Sequence, residues 1–276
     1  MFNFFKRKLE RSKQRSTFQK YGFKLKTFQL SQEGEVGYAQ WLHPFESEKE
    51  IKQEEVNFIR NYIKEGDFVI DIGAHTGDST IPLALAAGKT GCVLGLEPNK
   101  YVFKILEKNA ALNQDKTHIV PLNFAATEAD GKLIFNYSDA SFCNGGYLSR
   151  LKKIRNHNYP LEVNGKNLNN YLYKNYSNLL PKFSFIKVDA EGYDKEILKS
   201  LHNLLNTYHP VILSECYREL SKDARFDFYN FLTQNNYRIH ILNDLFSDKM
   251  ELVDAPSKML TRKHFDFLAI PLKQNE

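Results

Sequence analysis

Apolar positions fall along this chain in two rhythms. Short apolar runs, rich in β-branched residues, occupy Phe68–Ile72, Cys92–Glu97, His118–Leu122, Phe183–Asp189 and Pro210–Glu215. Runs of this length, bounded by turn residues and lacking polar alternation, predict parallel strands buried on both faces. Between them the spacing changes to the helical three-and-four pattern. Ile51, Val56, Ile59, Tyr62 and Ile63 predict a helix within Ser47–Lys64, stopped by Gly66. A second helix is predicted from near Asp78, with Pro82 in or near its first turn and Gly88 at its end. Val102, Ile105, Leu106 and Leu112 mark a third, after Pro98, and Lys195–Leu205 and Phe226–Asn235 read as two more. Tyr237–Leu242 and Phe265–Ile270 are strand-like with no clear helix between them, so they are expected to pair antiparallel. The fold expected is α/β: a Rossmann-like, seven-stranded, mostly parallel sheet with helices on both faces.

Two regions depart from this alternation. Residues 21–45 alternate weakly around SQEG, predicting a small β-hairpin. Trp41, His43 and Phe45 at its end read as an apolar lid packed on the domain, in preference to a histidine at a substrate. After Lys132–Tyr137, the last member of a strand pair broken at ADGK, residues Ser138–Pro181 are rich in Asn and Tyr and show little periodicity. So long an irregular stretch is expected to be functional or inserted. The organisation expected is a basic N-terminal extension with the hairpin over 1–50, and one domain over 51–276.

Charge sharpens the picture at one end only. Of the net +5, residues 1–26 carry nine Lys/Arg against Glu10 alone, leaving the rest of the chain slightly acidic. A body of that charge argues against a nucleic-acid partner. No run is long enough for a membrane span, and MFNFFKRKLERSKQRS has no apolar stretch after its charges, so it does not read as a secretory signal. Phe2, Phe5 and Leu9 can share a helical face beside the basic residues. A solvated extension is the preferred reading, and a peripheral contact with anionic lipid the alternative. Three cysteines, distant in sequence and without a CxxC pair, fit a reducing compartment. The expected location is cytoplasmic, with attachment at the inner membrane surface as the variant.

Ligands of open α/β sheets bind outside the carboxyl ends of the strands. Here those ends carry Asp71, Glu97, Asn123, Asp189 with Glu191, and Glu215. The first strand runs into Gly73-Ala-His-Thr-Gly77 and then a helix, and Glu97 follows twenty residues after Gly77, where such sheets place an acid for ribose hydroxyls. The turn lacks the middle Gly of the dinucleotide fingerprint G-x-G-x-x-G. A smaller anion suits it better, such as the carboxylate of an amino-acid moiety attached to a nucleoside. The helix N-terminus would favour that carboxylate by roughly 0.3–1 kcal/mol.

GDFVIDIGAHTGDSTIPLALAAG, VLGLEPN, LNFAAT and IKVDAEGYDKEIL, in this order and spacing, resemble the FkbM family of S-adenosylmethionine-dependent methyltransferases. The likeness runs from about Ile51 to Pro271. It implies a class I methyltransferase sheet with S-adenosyl-L-methionine as cofactor. It also implies that Asp71, Gly73 and Gly77 form the methionine-end turn, that Glu97 holds the ribose, and that Asn123 and Ala125 lie by the adenine. The family's K-x-D-x-E-G pattern falls on Lys187, Asp189, Glu191 and Gly192. Asn169 and Asn170 stand where the family often has acids, a departure from its pattern.

The resemblance further implies methyl transfer to an oxygen, the acceptor being a hydroxyl on a saccharide or a secondary metabolite. A hydroxyl nucleophile needs a base, with Asp189 the first candidate and Glu191 the second. The competing reading has Asp189, Glu191 and Glu215 hold Mg²⁺, which would acidify the hydroxyl. Lys187 reads as a structural partner of an acid and His75 as part of the turn. His240 and His264 read as structural, and Tyr147 and Arg150 as substrate contacts by position. Two rival functions remain: an NAD-dependent oxidoreductase, and a non-catalytic nucleoside-binding or membrane-adaptor protein that kept the fold.

Overall fold

A computed structural model describes residues 12–143, 145–148, 158–243, 246 and 249–272. The residues expected to form a lipid contact (Phe2, Phe5 and Leu9) lie outside the described residues, as do Arg150 and the Tyr147 side chain. Among the described residues no helix is long and apolar enough to cross a membrane.

The chain opens with an antiparallel hairpin of β1 (Phe23–Leu30) and β2 (Gly34–Trp41). Leu30, Val36 and Tyr38 share one buried cluster with helix α1 (Gln53–Ile59) and helix α2 (Thr80–Ala87). The hairpin is therefore packed into the main body. The helix predicted within 47–64 is confined to α1. All eight residues of α2 are buried, because hairpin and α1 cover one side while the sheet covers the other.

Five parallel strands form the centre of the main sheet: β3 (Phe68–Ile72), β4 (Cys92–Leu96), β5 (Ile119–Leu122), β10 (Phe183–Val188) and β11 (Val211–Cys216). Every residue of β3, β4 and β11 is buried, which is why these strands read as unbroken apolar runs. β14 (Phe265–Pro271) lies antiparallel between β11 and β12 (Tyr237–Leu242). The order is β13-β12-β14-β11-β10-β3-β4-β5, so the main sheet has eight strands and not the seven expected. The addition is β13 (Met250–Val253), an edge strand in which only Val253 is buried and whose composition consequently carries little strand signal.

The stretch expected to be irregular is largely ordered. It supplies β8 (Gly145–Leu148), β9 (Tyr159–Asn167) and helix α4 (Leu168–Tyr176). With β6 (Ala125–Thr127) and β7 (Gly131–Tyr137) these strands form a second sheet in the order β6-β9-β7-β8. Asn167 caps α4 by accepting from the Asn170 N–H. The single helix expected over 195–205 is two, α5 (Asp194–Ser200) and α6 (His202–Tyr208), meeting at Leu201. Helices α3 (Lys100–Ala110) and α7 (Lys222–Gln234) follow the predicted periodicity.

β2 pairs with β1 along one edge, and side chains satisfy part of the other. Asn113 bonds both main-chain groups of Gly37, and two residues on, Asn109 bonds both those of Ala39. Each amide supplies the donor and acceptor that a neighbouring strand would have supplied. Asn109 also donates to the Thr76 carbonyl at 2.7 Å, and Tyr38 Oη and Thr76 Oγ1 lie 2.7 Å apart. Hairpin, α3 and the turn after β3 are thereby fastened at one point.

Candidate active site

The turn that leaves β3 is shaped by close approach. Gly73 has φ +77°, and a Cβ there would stand 2.0 Å from the carbonyl oxygen of Asp189, at the end of the neighbouring strand. Only glycine lets the two strand ends come together. Gly77 (φ +96°) donates to the Ala74 carbonyl and closes the turn. His75 between them is also left-handed, at φ 48°.

Asp71 is fully buried behind this turn. Its Oδ2 accepts from Ser79 Oγ (2.9 Å) and Thr80 Oγ1 (2.6 Å), and its Oδ1 lies 3.4 Å from Lys187 Nζ. Lys187 also lies 3.4 Å from Asp189 Oδ2. Burial alone would lower the Lys187 pKa, but Asp71, Asp189 and Asp78 outweigh it and keep the ammonium charged.

A cavity of about 510 Å³ opens beside the turn, a size ordinary for a small-molecule site. Gly73, His75 and Ser79 form one wall, and Glu97 and Pro98 the next. Phe124, Ala125, Leu133 and Phe135 make an apolar face, and Asp189, Ala190 and Glu191 close the sheet side. Glu97 is buried; its carboxylate accepts from the His75 N–H (3.1 Å) and the Asn99 N–H (2.7 Å). Burial raises its pKa, while His75 and the two N–H groups act in the opposite sense.

Of the residues singled out in the sequence, Gly73, Glu97, Ala125, Asp189 and Glu191 therefore meet around one cavity. Asp71, Gly77 and Asn123 stand behind its wall: Asn123 Nδ2 donates to the carbonyls of Glu97 and Pro98. His43 is buried among the rings of Tyr21, Trp41 and Phe45, with Nε2 3.3 Å from Asp139, consistent with a packed lid. His264 pairs with Glu215 at 3.5 Å. Glu215 and Asp194 are buried acids whose pKa values burial, then neighbouring carboxylates, push up to about 9 and about 8. Among the described residues no three His, Cys, Asp or Glu side chains group as metal ligands, so Mg²⁺ held by Asp189, Glu191 and Glu215 is not supported.

Glu46, Ser47 and Lys49, which follow the hairpin and were missed in the sequence, line the cavity from outside the sheet beside Phe45 of the expected lid. Lys49 Nζ lies 2.7 Å from Asp78 Oδ2 and 3.5 Å from Glu46 Oε1, and His75 Nε2 lies 3.7 Å from Glu46 Oε2. The segment Asp139–Cys143, outside the cavity lining, joins other parts of the chain. The Asp139 carboxylate accepts from the N–H groups of Ser141 and Cys143, Ala140 N–H donates to the Arg15 carbonyl, and Asn99 Nδ2 donates to the Phe142 carbonyl. It ties the start of the chain to the loop after β4. Its only sequence signal is the short SFCNGG run.

The methyltransferase FkbM domain model matches residues 71–239, more than half of the chain. The chain belongs to the FkbM methyltransferase family. FkbM methyltransferases use S-adenosylmethionine, and this cavity fits that donor: an acid with unused acceptor positions at Glu97, an apolar face for a base, and a glycine turn open to main-chain contact. No curated protein matches the sequence. Similar solved structures include an S-adenosylmethionine-dependent O-methyltransferase from Thermotoga maritima, at 15% identity and TM-score 0.44, covering 91% of this chain and 79% of that one. An FkbM methyltransferase from Methylobacillus flagellatus has 14% identity and TM-score 0.44, over 75% of this chain and 44% of that one. A precorrin-6y C5,15-methyltransferase from Geobacter metallireducens has 11% identity and TM-score 0.41, over 79% and 88%.

Proposed function

We propose that this FkbM methyltransferase transfers the methyl group of S-adenosylmethionine to a hydroxyl oxygen of a small molecule or saccharide, with Asp189 as the base. The observation that carries the reading is the contrast between two acids that share Lys187. Asp71 is fully buried and held by hydroxyls, whereas the Asp189 side chain is half exposed at the cavity wall. An exposed carboxylate, oriented by a buried ammonium 3.4 Å away, suits proton removal from an acceptor.

The donor supplies an electrophilic methyl carbon on a sulfonium. The remaining acceptor positions of Glu97 would take the ribose hydroxyls, and Phe124, Ala125 and Leu133, which line the same cavity, would cover the base. At the sheet edge, Asp189 N–H donates to the Ile72 carbonyl at 3.0 Å, fixing the main chain from which the carboxylate projects. With the donor bound, Asp189 Oδ would take the proton of the acceptor hydroxyl as that oxygen accepts the methyl group and the donor leaves as the thioether. Glu191, held at φ 51° on the same wall, is the second acid in position. A base of this kind contributes about 10²–10⁴-fold.

The test is release of S-adenosylhomocysteine by the purified protein across a panel of sugar and alcohol acceptors, with the wild type beside Asp189→Asn. The expected result is acceptor-dependent turnover that falls about 10²–10⁴-fold in the variant while donor affinity changes little. Equal turnover in both proteins would overturn the assignment of Asp189, and methylation of nitrogen or carbon alone would overturn oxygen as acceptor.

A further inference from the structure

The residues between the hairpin and α1 precede the family match, which begins at residue 71, yet they form one end of the cavity. That end holds a buried carboxyl group with spare hydrogen-bonding capacity. The Glu46 side chain is only 4% exposed, and its Oε1 carries no hydrogen bond. Lys49 stands 3.5 Å from that oxygen but lies closer, at 2.7 Å, to Asp78. Burial disfavours the charge on Asp78, yet Lys49, His75 and Lys187 hold its carboxyl below the usual range. One lysine therefore serves two carboxylates. Counting Asp71, Glu97 and Asp189, five acids surround the turn against Lys49 and Lys187.

A buried carboxylate oxygen left unbonded costs free energy unless something meets it. His75 locates what that must be. Its main-chain N–H bonds Glu97, the acid proposed for the ribose, and its ring Nε2 lies 3.7 Å from Glu46 Oε2, so one residue separates the two acids. We propose that Glu46 anchors the α-ammonium group of the methyl donor, and that the Lys49–Asp78 pair straps the segment carrying Glu46 against the turn. The assignment rests on the S-adenosylmethionine reading of the same cavity. A cationic group there relieves both the unbonded oxygen and the excess of negative charge. Because the anchor lies outside the matched region, a fingerprint that starts with Asp71 does not contain it.

Calorimetric titration with two ligands separates this from a structural role: S-adenosylhomocysteine, and its deaminated analogue with a hydroxyl in place of the ammonium. In the wild type, loss of the ammonium is expected to weaken binding roughly 10- to 100-fold. In Glu46→Gln the two ligands should bind nearly alike, because only the ammonium-bearing one is penalised. Glu46→Asp, which keeps the charge but withdraws it, should lie between. A Glu46→Gln protein that loses affinity equally for both ligands would show Glu46 to be structural and overturn the proposal. So would a wild type that binds both equally. A wild type that binds neither S-adenosylmethionine nor S-adenosylhomocysteine would instead overturn the cofactor reading itself, and this assignment with it.

Discussion

Lys187 and Asp71 stand directly opposite each other in the parallel pairing of β10 with β3, and the lysine divides its charge between Asp71 and Asp189 at 3.4 Å each. One residue thus connects the buried acid of the cofactor turn to the half-exposed acid at the cavity. Removing it strands Asp71 without a counter-charge in the sheet. Lys187→Met is expected to cost about 3–5 kcal/mol, the usual penalty for breaking a buried ion pair by deleting one partner. Urea unfolding followed by far-UV circular dichroism measures it. The double variant Lys187→Met/Asp71→Leu should recover part of the loss, because the acid left without its lysine, Asp189, is half exposed to water.

Gly73 should tolerate no side chain. Its φ of +77° is unfavourable for alanine, and the added Cβ would meet a backbone oxygen that cannot rotate away. Gly73→Ala is expected to abolish donor binding and to destabilise by at least about 1–3 kcal/mol, as overpacking does. Gly34, in the hairpin turn at φ +70° with open space around it, is the matched control. Gly34→Ala should cost only the left-handed backbone penalty of roughly 1–2 kcal/mol and leave binding intact. Thermal unfolding and calorimetric titration of both variants check the contrast.

Asn109 is expected to be irreplaceable by aspartate. Its amide bonds Ala39 through both main-chain groups and holds the Thr76 carbonyl as well. Asn109→Asp keeps an acceptor but loses the donors, leaving two carbonyls unsatisfied. A loss of about 2–4 kcal/mol should follow, at about 1–3 kcal/mol per stranded group with partial rescue by water. Donor affinity should fall with it, since Thr76 belongs to the turn. Denaturant titration and donor binding test the two effects.

Stability should decline as pH rises across the neutral range. Asp194 and Glu215 keep their protons in the fold up to about 8 and about 9, whereas in the unfolded chain they ionise near 4. Between those values the unfolded state binds fewer protons, so the free energy of unfolding falls, by at most ~1.4 kcal/mol per pH unit for each group. Below about pH 4 the two states carry the same protons and the slope from these groups vanishes. Glu215→Gln should flatten the pH dependence above pH 5 and raise stability at pH 8. Chemical denaturation at a series of pH values would refute this if the variant and wild-type curves run parallel.

Much of the sheet is legible in the sequence because its strands are buried on both faces. Phe68–Ile72 and Val211–Cys216 have no polar face to obscure them. β13 escapes for the opposite reason: three of its four residues are exposed. β9 does alternate, with Leu161 and Val163 inward, but its short signal lies among the Asn and Tyr residues of its neighbours. At the site, the Gly73 turn, Glu97, Asp189 and Glu191 are legible because strand ends place them. The contribution of Glu46 and Lys49 is not, since it depends on where a hairpin distant in sequence folds back. Asp71 shows a different limit: the sequence marks its importance, but not that hydroxyls and a lysine occupy its carboxylate.

The paired amides of Asn109 and Asn113 have one further consequence. They hold the free edge of β2 by side chains from a helix and its exit, so the hairpin is fastened to the turn after β3 without belonging to either large sheet. Its sequence is free of the register that constrains β3, β4 and β10. The segment carrying Glu46 and Lys49 thus reaches the cavity from a hairpin fixed by two amides, apart from the strand ends that carry Glu97 and Asp189.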